Sequence, residues 1–343
     1  MAYTAIDDAG SYFNTKLYTG TGASNAQTGV GFQPDFTWIK NIDAADFHVL
    51  TDAVRGVTDY LVSNDTDAET TNAESLKTFD SDGFTVGTMN EVNTNTEAFV
   101  AWNWKANGAG SANTDGSIST AATSANTTSG FSISTYTGTG SAATIGHGLG
   151  AIPSVVLVKK RSDAIDWIMY HISLGNGYDA RFNTNEVPSS SSATWNATTP
   201  TSSVFSVGDF VGTNVDTETF VAYCFADVQG FSKFGGYTGN GDVDGPFIYT
   251  GFRPAMVIAK RTDSSGYWRI RDNKRSPYNV IDVVLRPDTA EAEVTEDDHD
   301  FLSNGFKVRT TGPENNADGG TYLYMAFAES PFVNSNGVPT NAR

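Results

Sequence analysis

Apolar positions along this chain come in short runs. Downstream of Pro34, Pro153 and Pro254 the sequence reads "FTWIK", "SVVLVK" and "AMVIAK", each run ending in a lysine. The middle one is β-branched and apolar on successive residues, the pattern of a strand covered on both faces. "FTWIK" and the later "FVAWNWKA" alternate more, as half-buried strands do. Clusters of Gly, Asn, Asp and Pro separate the runs at intervals typical of sandwiches and barrels. No segment of useful length carries helical periodicity. The best local candidate is "DTAEAEVTEDD" (288–298), whose helix propensity is mediocre. The pattern predicts an all-β protein.

The runs belong to a unit written three times. Tyr18, Tyr136 and Tyr237 each open a Y-T-G-x-G stretch. From the three prolines onward the copies stay in register without a gap, through Lys40, Lys159 and Lys260 to His48, Trp167 and Trp268. Phe84, Phe205 and Phe306 follow in "GFTVG", "VFSVG" and "GFKVR", and nine residues later come Asn93, Asn214 and Asn315. Each copy closes on "FVAWNW", "FVAYCF" or "YMAFAE". A period of about 100 residues exceeds a propeller blade or a solenoid rung, so each copy is long enough for its own core. The expected architecture is three tandem β-sandwich repeats of jelly-roll-like type, in a pseudo-threefold cluster in preference to a straight string. Their bounds are 1–106, 131–228 and 229–343, the last with a short polar C-terminal tail, "NSNGVPTNAR". The segment 107–130 between the first two units reads equally as a polar linker or an edge hairpin. The two glycines of Y-T-G-x-G suit a turn with positive φ or a close approach of two backbones. A phosphate cradle is disfavoured, since no Lys-Ser/Thr and no helix follows.

Composition narrows the partners. With a net charge of −18, contact with nucleic-acid phosphates or an anionic membrane surface is not expected. No run reaches the roughly 20 apolar residues of a membrane helix, and "MAYTAIDDAGSYF" lacks the basic and apolar segments of a signal peptide. A single cysteine, Cys224, precludes an intrachain disulfide framework; it reads as a small buried hydrophobe.

Candidate chemistry is sparse. Asp52 and Asp272 precede Arg55 and Arg275 by three residues, a spacing that suits local ion pairs, whereas the second unit has His171 and Leu174 there. His48, His147, His171 and His299 are scattered, with no two at metal-ligand spacing. "NGDVDG" (240–245) matches the start of a calcium loop, but Gly251 stands where the bidentate Glu belongs, so a turn is the better reading. The acidic run "EDDHD" (296–300) reads as a solvated loop. No nucleophile, base or carboxylate pair repeats with the scaffold, so catalytic residues, metal and cofactor are all expected to be none. Of six tryptophans, Trp38, Trp102, Trp104, Trp167 and Trp268 fall in or near repeat strands. Trp195, in "SSSSATWNATTP", is placed in a loop and is the candidate glycan contact.

"HVLTDAVRG", "FVAWNWKA", "TIGHGLG", "SKFGGYTGNG" and the ending "YMAFAESPFVNSNGVPTNAR" resemble a family of repeat-bearing proteins of tailed, mostly marine, bacteriophages. The resemblance spans nearly the whole chain. That family is defined by sequence and has no assigned enzymatic role, so the resemblance carries over no site residues. It implies a virion protein assembled in the host cytoplasm: a non-enzymatic structural part, tail fibre, spike component or head decoration, in contact with other capsid or tail proteins. The alternative is a receptor-binding module for host-surface glycan.

Overall fold

The computed structural model describes residues 2–340; Asp297 and Asp298 are described by their backbone alone. The chain is nearly all antiparallel β. Three large sheets carry the repeats. In the first, Phe13–Thr19, Ala98–Trp104, Phe36–Asn41, Val49–Asp52, Gly56–Val62 and Thr70–Thr71 lie side by side in that order. In the second, Phe131–Thr137, Thr219–Ala226, Pro153–Lys160, Ile168–His171, Tyr178–Arg181 and Ser189–Ser190 follow the same order, and Ala122–Asn126 adds an outer strand beside Phe131–Thr137. The segment after residue 107 thus extends the second sheet. The third has the four strands Ser232–Thr238, Thr321–Pro331, Phe252–Arg261 and Arg269–Asp272. Each large sheet is accompanied by a second sheet, of three, two and four strands in turn, built around Gly83–Val86, Val204–Val207 and Gly305–Val308.

The central strands of the large sheets are buried on both faces, including "FTWIK" and "FVAWNW", which the sequence pattern makes half-buried. Alternate residues serve different cores. Phe99 and Ala101 join a cluster with Phe84 and Val86 inside the first unit, whereas Val100, Trp102 and Trp104 point into a central cluster. Phe220, Ala222 and Cys224 likewise line the second unit's own core, while Val221, Tyr223 and Phe225 face the centre. Ile258, Met325 and Phe327 arrive there from the third. Rings of all three units touch: Phe36 lies 4.8 Å from Tyr223, and Trp104 lies 5.4 Å from Phe327. At this meeting point the remaining void is only about 20 Å³.

The repeated tyrosines occupy one environment. Tyr18, Tyr136 and Tyr237 stack on Phe99, Phe220 and Tyr322 at interplanar angles of 15°, 13° and 10°. Their hydroxyls donate to the carbonyls of Val92, Thr213 and Asn315. Both expected uses of the glycines are realised. A Cβ on Gly20, Gly138 or Gly239 would fall 2.0, 2.2 or 2.3 Å from a facing carbonyl oxygen, while Gly22, Gly140 and Gly241 have φ of +65°, +66° and +68°. The loop's next N–H is taken by a buried asparagine side chain: Thr21 donates to Asn93, Thr139 to Asn214 and Asn240 to Asn316.

That last residue corrects the repeat register. Asn316, not Asn315, is the counterpart of Asn93, because the third unit has one extra residue between Phe306 and the final strand. The closing motif shifts too: Tyr322 pairs with Tyr237 as Phe99 pairs with Tyr18, so "YLYMAF" (322–327) replaces "YMAFAE". The best helical candidate is also corrected. Its second half belongs to the strand Val294–Leu302, held between Ile281–Val284 and Gly305–Val308; sheet pairing overrides a weak local preference. Residues 334–340 turn back toward the start of the chain, where Ser335 Oγ donates to Asp7 at 2.6 Å. The end of the tail, 341–343, lies outside the described residues.

Candidate functional site

The repeated ionisable residues converge on three seams, where each unit meets the next and the third meets the first. Lys40, Lys159 and Lys260, each one residue before the end of its strand, carry buried ammonium groups. Lys159 Nζ donates to the carbonyls of Lys160 and, across the first seam, Thr66 (3.1 Å). Lys260 Nζ reaches Asn185 across the second seam at 3.0 Å. Lys40 donates to Asn41 and Ala44 within its own unit. Burial pulls all three down to about 8. Backbone pairing follows: Ile165 N donates to Thr66 and Gly266 N to Asn185, both at 2.9 Å. Trp167 Nε1 donates to Val62 and Trp268 Nε1 to Arg181 across the same seams. On the third, Ser63 Oγ donates to Pro287 at 2.8 Å and Glu293 N to Ile42 at 3.0 Å.

The Asp–Arg pairs lie in these seams. Arg55 Nε meets Asp52 at 2.5 Å with both side chains fully buried, and a second arm meets Glu69. Burial by itself pulls the guanidinium down, but Asp52, Tyr223 and Glu69 together hold it above its ordinary range. Asp52 also accepts from Tyr223 of the second unit at 2.7 Å. The third seam repeats this: Arg275 pairs with Asp272 and Glu293, and Asp272 accepts from Trp102 of the first unit at 3.1 Å. The middle seam departs because its partner departs. Met325 stands where Tyr223 and Trp102 stand in the other units, and a thioether cannot donate to a buried carboxylate. The second unit has His171 there, Leu174 in the arginine's place, and the imidazole Nε2 lies 3.1 Å from the Tyr324 carbonyl. Burial pulls His171 down to about 4, against that carbonyl. At the Asp–Arg position, then, this seam carries no charge.

The other candidates resolve as structure. Trp195, the expected glycan contact, is corrected: it is 1% exposed, its indole N–H donates to the Tyr178 carbonyl, and its ring packs edge-on to Tyr170. Eleven residues of sequence around it are mostly polar, yet the ring turns inward to fill the second unit's core, so no face is left for a sugar. The other five tryptophans are buried as well. His147 accepts from Leu149 N, and His48 accepts from Trp38 Nε1 at 3.0 Å. Burial pushes the Cys224 thiol up to about 12. "NGDVDG" is a turn in which Asp242 N donates to Asn240 and Asp244 N to Asp242, with Asp244 paired to Lys307 at 2.8 Å. Among the described residues no three His, Cys, Asp or Glu side chains gather as a metal site; the side chains of Asp297 and Asp298, in "EDDHD", lie outside them. Among those residues, too, no helix is long and apolar enough to cross a membrane. Glu69 and Glu293 escaped the sequence reading, since acidic surface residues surround both and only the seam shows which carboxylate meets arginine.

A single family model spans residues 8–331, all three units together, and describes a domain of unknown function, DUF7483. The chain belongs to the DUF7483 family. No curated protein and no solved structure matches it. In this member of the family the model runs from just before Phe13–Thr19 to the end of Thr321–Pro331, so it takes the three-unit body as one object.

Proposed function

We propose that this DUF7483 protein is a non-enzymatic structural component of a bacteriophage particle, exposed on the capsid or tail and acting through contacts with other virion proteins. The observation that carries the reading is where the repeated chemistry resides. The repeated lysines, the two Asp–Arg–Glu sets and the histidine that replaces them in the second unit are spent in the interior, most of them on the seams, which is how a scaffold uses ionisable groups. A net charge of −18 over the chain keeps such a body soluble before assembly. The phage association rests on the resemblance carried by "FVAWNWKA", "TIGHGLG" and "SKFGGYTGNG". Quantitative mass spectrometry and electron microscopy of particles purified from the phage that encodes it test the proposal. The expected result is a stoichiometric virion protein with density at a fixed position. Its absence from particles, or release of reducing ends from host polysaccharide by the purified protein, overturns it.

A further inference from the structure

At the seam between the second and third units a cleft of about 450 Å³ opens to solvent. The corresponding space at the first seam is plugged. There Arg55 and Arg161 clasp Glu69 between them, at 2.9 and 2.6 Å. The third seam has Arg275 and Glu293 in the same roles. At the middle seam the matching positions are Leu174 and Pro188, and Arg161 is matched by Thr262. The floor differs as well. Gly236 pairs with Leu323 where Thr135 pairs with Val221 and Leu17 with Val100, so a side chain present in two units is missing in the third. Arginine, glutamate and that side chain are all lost at one place.

What remains has a definite chemistry. None of the described residues lining the cleft is charged, in a chain whose net charge is −18. Hydroxyls of Ser173, Thr238, Thr262 and Thr321 edge it, and the Thr262 and Thr321 hydroxyls lie 2.7 Å apart. Each hydroxyl both donates and accepts, as the hydroxyls of a sugar do. Tyr178, 46% exposed, offers a ring at the rim; an amphipathic ring suits the apolar face of a pyranose. The volume falls within the roughly 300–1,000 Å³ of small-ligand sites. From these features we infer that the middle seam is a binding site for a short neutral saccharide. Acidic sugars are disfavoured because no cation lines the cleft. The site goes beyond the structural role proposed above and does not depend on it.

Ligand-observed saturation-transfer NMR tests it, with maltotriose, cellotriose and chitotriose as neutral probes and 3′-sialyllactose as the acidic control. At least one neutral probe is expected to show transfer, and the sialylated sugar none. Tyr178→Ala removes a half-exposed ring, and Thr262→Arg supplies the group that fills the first seam. Each is expected to weaken binding at least tenfold without moving the thermal unfolding midpoint, while Asp59→Ala, at the position matching Tyr178 in the first unit, changes nothing. No transfer from any neutral probe overturns the inference. So does binding that survives Tyr178→Ala, or equal binding of the sialylated sugar. The measurement uses purified protein without virions, so its failure leaves the particle role standing, and the reverse holds.

Discussion

Lys40, Lys159 and Lys260 show how a residue repeated in every unit of a fold can still cost it stability. Each ammonium group is surrounded by carbonyl oxygens, yet burial holds each near 8, below the value of about 10.4 in an unfolded chain. Between these two values the unfolded chain binds more protons than the folded one, so unfolding free energy rises with pH, by up to about 1.4 kcal/mol per unit for each lysine. Tyr18, Tyr136 and Tyr223 act in the opposite sense. Burial raises them well above 10, so their contribution is complete below 10 and is lost as pH climbs past it. The urea midpoint is therefore expected to rise from pH 8 toward 10 and to fall beyond it. A midpoint that is flat or falling from 8 to 10 would show that the lysines are not desolvated. The tyrosines, lysines and paired glycines were all legible from spacing alone; the tyrosines and glycines meet their partners inside their own repeat, and Lys159 and Lys260 each add one carbonyl from a neighbour.

At the scale of strands and seams, a charged group is kept only where the facing strand can satisfy it. Asp52 and Asp272 each have an arginine and a donor from the neighbouring unit; His171 faces Met325 and its strand's backbone. Arg55→Leu alone leaves Asp52 buried beside Tyr223 without its counter-charge and is expected to cost about 3–5 kcal/mol. Installing the middle seam's solution at the first, as Asp52→His, Arg55→Leu and Tyr223→Met together, is expected to recover more than half of that loss in urea denaturation. If the triple variant is no more stable than the single one, the seams are not interchangeable solutions to one packing problem. Sequence showed that the second unit breaks the Asp–Arg pattern, but not why. The reason is a methionine from another unit, distant in the chain. Trp195 failed for a related reason: a polar local stretch says nothing about which way its one large ring will turn, and the second unit's core claimed it.

Over the whole molecule, the central cluster binds the units into one cooperative body. Trp104, Phe225 and Phe327, one from each unit, lie within 6.4 Å of one another by ring centroid. Removing the third unit would expose the first two to water over their inward faces, a loss that buried aromatic surface makes large. A chain ending at Val228 is expected to lack cooperative thermal unfolding and to be digested rapidly by protease, whereas the full chain is expected to unfold in a single calorimetric transition. Separate transitions for the full chain, or a stable two-unit fragment, would show that the unit cores suffice alone.

The all-β class, the three copies, the glycine turns and the stacked tyrosines were determined by the sequence itself, since each rests on interactions between residues of one repeat with a fixed spacing. The burial of both faces of the central strands, the corrected register at Asn316 and Tyr322, the loss of the Asp–Arg pair at the middle seam and the cleft there were decided only by the tertiary structure. These depend on which residues of different units face each other. That is a property of how three similar surfaces pack around a common centre, and no local pattern carries it.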